Sequence, residues 1–217
     1  MEKLAYVILG WLLGIGGQFL LARNISIRNM KSFKTCLVSE LENIASVLSW
    51  AYYLLNCKIR KFDSNSFRWW VIAIKEFDTN MSDDEKELIS KVESNFEQCS
   101  KIHKLKYGNT NNNYLFVKKI RLPYLEQNLT SISLLDSSIQ KNIMSLLRQI
   151  NTINEEIELL NFYFKKGFDL NCTDTDEIIK GFTLDENQIA AYHNISRHIK
   201  DTIELIREII RCTIKAK

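Results

Sequence analysis

Residues 139–164 read IQKNIMSLLRQINTINEEIELLNFYF. Apolar side chains fall at Ile139, Ile143, Leu146, Ile150, Ile153, Ile157, Leu160 and Phe164, alternately four and three apart. That a/d spacing keeps one stripe on one side of a helix for more than three heptads. Asp136 stands where an N-cap belongs. The series predicts a long helix from Asp136 to near Gly167, packed through its stripe against other helices.

The chain around this helix repeats the pattern. Ser32–Cys57 carries Leu37, Leu41, Ile44, Leu48, Ala51 and Leu55 at helical spacing. Residues 67–78 (FRWWVIAIKEFD) predict a short apolar helix. Ser82 and Glu85 form a capping box opening a stripe of Leu88, Val92, Phe96, Cys99, Ile102 and Leu105. After a polar loop at 108–113, Tyr114–Thr130 is expected to be helical, with Pro123 starting a fresh helix or kinking one. Residues 168–181 form an acidic connector. A second capping box, Thr183 with Glu186, opens a last helix whose face runs Tyr192, Ile195, Ile199, Ile203, Ile206, Ile210 and Ile214. Seven Gly and one Pro in 217 residues are too few for a β-sandwich or a βαβ array. The expected class is all-α: an N-terminal transmembrane helix followed by a cytoplasmic bundle of four or five helices.

A membrane anchor is expected from Leu4–Ala22, LAYVILGWLLGIGGQFLLA, nineteen residues without a charge. A helix of that length spans about 28 Å, close to a bilayer's hydrocarbon thickness. Leu20 occupies the −3 position of the best cleavage site, so a retained span is expected over a signal peptide. Glu2 and Lys3 cancel before the span, whereas Arg23, Arg28, Lys31 and Lys34 follow it with no acid until Glu40. The basic flank stays inside. The division is then a transmembrane anchor with its basic juxtamembrane segment over 1–31, and a cytoplasmic bundle over 32–217. The protein is expected in the inner (cytoplasmic) membrane. Five cysteines without framework spacing agree with a reducing compartment.

Gly10 and Gly14 form a GxxxG, and Gly17 continues the same face. Small residues so spaced let two helix backbones approach closely in lipid, which predicts a homo-oligomer. Trp11 and Gln18 lie near that face and are candidates for lining a conduit. The alternative is a lipid-facing single anchor, with Gln18 snorkelling to the inner surface.

Motifs of catalysis are missing. No GxxxxGK[ST], GxGxxG or GxSxG occurs, and no CxxC or CxxH offers a zinc cluster. His193 and His198 are five apart, off the i,i+4 ligand spacing, and His103 is remote from both in sequence. No catalytic residue, metal ligand or cofactor is expected. Net charge is only +3, which gives no bulk argument for nucleic acid. One local basic stretch holds Lys101, Lys104, Lys106, Lys118, Lys119 and Arg121 with no acid, interleaved with His103, Tyr107 and Tyr114. It reads as two solvated helix faces, as a phosphate- and base-contacting patch, or as a surface for anionic lipid.

The span's Leu9, Gly10, Trp11, Leu12, Leu13 and Gly14, followed by a basic stop and a helical bundle, resemble bacterial single-span membrane proteins of unassigned or anti-phage role. The named case is the membrane accessory family of type VI-B CRISPR systems, whose cytoplasmic part is HEPN-like. The resemblance implies an oligomer that opens or perturbs the inner membrane during phage infection. HEPN ribonucleases place a His four to six residues after an Arg. None of the nine Arg here has a His at that distance, so a HEPN-like bundle would be catalytically dead. The functional expectation is a non-enzymatic, oligomeric membrane effector or accessory. The alternatives are a tethered scaffold recruiting a cytoplasmic protein through an exposed heptad face, and an RNA-binding or nuclease-like membrane protein.

Overall fold

The computed structural model describes residues 2–59, 63–78, 81, 83–95, 118–169 and 186–215; for 2–23, 85, 88, 92 and 164–169 it describes the backbone course alone. Among the described residues the secondary structure is entirely helical. Helix α1 runs Glu2–Lys58 without a break, as the absence of Gly and Pro between 18 and 60 allows. Its 57 residues make a rod of about 85 Å. Among the described residues no helix is long and apolar enough to cross a membrane. The side chains of Leu4–Ala22 lie outside that description.

The buried face of α1 is Phe33, Leu37, Leu41, Ala45, Leu48, Tyr52 and Leu55. Ile44 and Ala51, expected within the stripe, flank it instead. Their neighbours Ala45 and Tyr52 face the core because α1 packs on partners to both sides of the expected line. Helix α2 spans Ser64–Phe77. It starts earlier than its apolar residues suggest because the Asp63 carboxylate accepts the Ser66 N–H at 2.7 Å, an N-cap bond. Helix α3 covers Asp83–Ser94 and buries Ile89. Its capping Ser82 and the stripe from Phe96 to Leu105 lie outside the described residues, as does Thr183 of the second capping box.

The expected helix over Tyr114–Thr130 is corrected in its described part. Lys118–Leu122 is not helical, and α4 begins at Pro123 and ends at Gln127. Two causes act together. Proline disfavours helical geometry at the residue before it, and Leu122 sits at φ −119°, ψ 72°. The Asn154 side chain also takes both backbone groups of Ile120, accepting its N–H at 2.8 Å and donating to its C=O at 2.9 Å. A helix would need those groups for itself. The short α5, Leu129–Ile132, follows.

Helix α6 is Ser137–Asp169 and α7 is Glu186–Lys215. Ile139, Ile143, Leu146, Ile150, Ile153, Ile157 and Leu160 are all buried, so this heptad is core and not an exposed recruiting face. On α7 the buried face follows Tyr192, Ile195, Ile199, Ile203 and Ile206, then turns to Ile209 and Thr213. Ile210 is only half-buried and Ile214 is exposed. The expected series advances about 3.7 residues per step, whereas the buried face keeps the roughly 3.5 spacing of a helix-packing seam, so it lies one position earlier in the last turns.

Cross-helix pairs fix the directions. Asn142 lies against Glu208 and Glu156 against Asn194, so α6 and α7 are antiparallel. Trp50 meets Asp78, and Tyr53 stacks on Trp70 at 4.4 Å, so α1 and α2 are antiparallel. Trp69 meets Glu204 and Glu76 meets Arg207, so α2 runs with α7. Helix α7 is the shared partner, packed against both α1 and α6.

Candidate functional site

Among the described residues, hollows open beside the α1 rod. One, of about 500 Å³, lies between α1, the end of α2 and the start of α4, with Cys36, Glu40, Glu42, Phe77, Asp78 and Tyr124 in its wall. Two of its acids, Glu40 and Asp78, are committed to the fold. The Glu40 carboxylate accepts the backbone N–H groups of Tyr124 at 2.7 Å and Leu125 at 2.9 Å, supplying from α1 the cap that α4 lacks locally. Asp78 accepts the Trp50 indole N–H at 3.3 Å. The Tyr124 phenol is raised above its usual 10.0 by partial burial, with Cys36 and Glu40 pushing the same way. A proton-transfer group works best with a pKa near the operating pH, and this phenol is held further from it.

The second hollow, of about 490 Å³, is apolar. It lies between Ile25, Met30 and Phe33 of α1 and the turn carrying Ser131 and Leu134. It is at the end of the bundle nearest residue 22.

A third feature clamps α2 to α7. Arg207, only 13% exposed at its side chain, donates from Nε to Glu76 at 2.5 Å and from Nη1 to Glu204 at 2.5 Å. Its guanidinium lies over Trp69 at 5.8 Å and Phe77 at 5.5 Å, and the Trp69 indole N–H donates to Glu204 at 2.8 Å. Burial, the largest influence on Glu204, opposes its ionisation. The hydrogen bonds from Trp69 and Arg207 and the charges of Arg207 and Lys200 outweigh it, and the pKa falls below 4.5. The planar fork with aromatic faces on it is an arginine arrangement that lysine cannot reproduce.

No family model, no curated protein and no solved structure matches this chain. Function therefore rests on its own residues.

Of the basic stretch, Lys101, Lys104 and Lys106 lie outside the described residues. Lys118, Lys119 and Arg121 are exposed on the non-helical segment before α4, and Lys119 forms an ion pair with Glu158 of α6. That pairing takes one lysine from any phosphate-binding set. His103 is also outside, while His193 and His198 lie half-buried on α7. Among the described residues, no group of three or more His, Cys, Asp or Glu is placed to hold a metal ion. Arg28 and Lys31 are exposed and Lys34 is half-buried. Gly10, Trp11, Gly14, Gly17, Gln18 and Arg23 are described by their backbone course alone, as part of α1.

Sequence reasoning missed the Arg207 clamp and the Glu40 cap. The i,i+3 spacing of Glu204 and Arg207 was the only available signal for the first. Nothing local announces the second, because Glu40 and Tyr124 are 84 positions apart.

Proposed function

We propose that the protein is a non-enzymatic effector or accessory of the inner membrane, anchored by Leu4–Ala22, with its helical bundle in the cytoplasm and its activity dependent on self-association. The observation that carries this reading is the unbroken course of α1 from Glu2 to Lys58. A rigid helix shared by anchor and bundle transmits tilt and rotation between them, whereas a flexible linker would decouple the two. Clustering through Gly10, Gly14 and Gly17 brings several copies together, and Trp11 and Gln18 line or constrict the space between them. A single apolar helix encloses no water, so conductance needs several copies. Action on the membrane during phage infection is the role that the resemblance to type VI-B accessory proteins implies. It is supported by layout and by the LGWLLG segment alone.

One observation favours a second reading, the tethered scaffold. With the 139–164 heptad inside the core, its recruiting face would be the outer stripe of α1, where Val47, Trp50 and Leu54 are 54%, 39% and 45% exposed at helical spacing.

The test is native mass in detergent, with membrane potential read in cells. The effector reading expects an oligomer, its partial dissociation by Gly14→Leu with the bundle still folded, and loss of potential on triggering. A monomer at every concentration overturns it. An oligomer with unchanged potential, losing a captured cytoplasmic partner on Leu54→Asp, establishes the scaffold instead.

A further inference from the structure

The apolar hollow beside Phe33 sits at a depth that α1 itself measures. Ile25 lies three residues beyond Ala22, and Phe33 eleven, which at 1.5 Å per residue is about 4.5 and 16 Å along the rod. The headgroup zone of a bilayer is about 5–8 Å thick on each side. Across the hollow stands Leu134, at 66% the most exposed of the large hydrophobic residues described, and Leu129 at the start of α5 is half exposed.

The other helices bring further apolar surface to this end. Helix α6 starts here, because the turn leads directly into Ser137. Asn142 pairs with Glu208 of the antiparallel α7, and six residues further along each helix Asp136 comes level with Ile214, which is half exposed. Ile25 and Ile27 on α1 are also more than half exposed. Arg28 and Lys31 occupy the opposite side of α1 from the hollow, and Lys215 ends α7. Asp136 is the exposed acid at this rim.

We propose that this end of the bundle docks on the bilayer that α1 crosses. With α1 leaning toward this side, within the usual tilt of about 0–40° for a membrane helix, Leu134 and Leu129 come down to the boundary between headgroups and acyl chains. Lipid enters the hollow at its Ile25 mouth, Met30 and Phe33 form the wall beyond the headgroups, and Arg28 and Lys31 reach back to the phosphates. Four cations following a span at this depth match an anionic leaflet, and an apolar surface ringed by polar groups matches the interfacial region. The turn at 129–134 then fixes the tilt of the bundle and makes it sensitive to lipid composition. The proposal rests on Leu4–Ala22 being a span.

The experiment uses full-length protein, its five native cysteines replaced, in vesicles of phosphatidylethanolamine and phosphatidylglycerol. A spin label is attached at Leu134→Cys or at Met144→Cys, the latter an exposed position further up α6. Collision with lipid-soluble oxygen is compared with collision with a water-soluble nickel chelate. Docking predicts oxygen in excess at 134 and the chelate in excess at 144. Alkaline washing of the same vesicles tests the span independently. Protein retained after washing, but with the chelate in excess at 134, overturns docking and leaves the anchor standing. A label shielded from both reagents means that protein covers the turn, and overturns it too. Release by the wash removes the span reading and the docking with it.

Discussion

Asn56 donates its side-chain amide to the hydroxyl of Ser196 at 2.7 Å, joining two buried polar groups on helices 140 positions apart in sequence. The same amide also reaches the Tyr52 carbonyl at 2.7 Å. The pair sits among apolar residues where α1 crosses the first turns of α7. A buried donor left without its partner costs about 1–3 kcal/mol, while removing both partners together costs less than the sum. Asn56→Ala should lower the thermal midpoint of the bundle. The double variant with Ser196→Ala should be milder than the two single losses added. Strict additivity in melting would mean the bond carries no coupling.

Leu146→Ala should destabilise by about 2–5 kcal/mol, because Leu146 is fully buried and its loss leaves a cavity between α6 and α7. Its native mass should stay that of the unmodified protein. A change of association state with unchanged stability would move the heptad from the core to an interface between copies.

The Cys57 thiol is pushed up from 9.0 to about 12 by burial, which its hydrogen bond with Tyr53 and a backbone hydrogen bond only partly offset. Thiolate is the reactive form, so at pH 8 its population in the fold is about a thousandfold below that of an ordinary thiol. Alkylation at Cys57 should be slow in the folded protein and recover in denaturant, while the exposed Cys36 reacts promptly. The linkage has a sign. The folded value lies above the unfolded one, so this contribution to stability is complete below pH 9 and is lost as pH rises toward about 12. Cys57→Ala should flatten the fall of the melting midpoint over that window. Equal alkylation rates in folded and denatured protein would refute the burial argument.

On the acid side the sign reverses. Glu204 has a folded pKa below 4.5, so its contribution is present above that value and is lost as pH falls through the folded one. Glu204→Gln should make acid unfolding shallower, and Arg207→Lys should do the same by losing the fork that holds both Glu76 and Glu204. The check is the melting midpoint between pH 7 and 3. A profile for Glu204→Gln that parallels the unmodified protein would show the clamp to be energetically neutral.

The helices themselves were legible from periodicity, and the reason is local. The buried set from Ile139 to Leu160 repeats at the period of a helix, and any compact packing must bury that stripe. The unbroken run to Lys58 follows equally from composition, since residues 18–60 contain neither Gly nor Pro to end a helix. The apolar run at Leu4–Ala22 and its basic flank are likewise properties of sequence alone. What periodicity cannot supply is which faces meet. Only the tertiary structure decided that α7 lies between α1 and α6, that the heptad is spent inside the bundle, and that Lys119 is paired with Glu158. Only it decided that Lys118–Leu122 stays out of a helix, because Asn154 competes for the backbone of Ile120 across 34 positions. The hollow beside Leu134 belongs to the same class. It exists because a turn near residue 131 lands beside residues 25–33, a contact whose partners are too far apart in the chain for local pattern to encode.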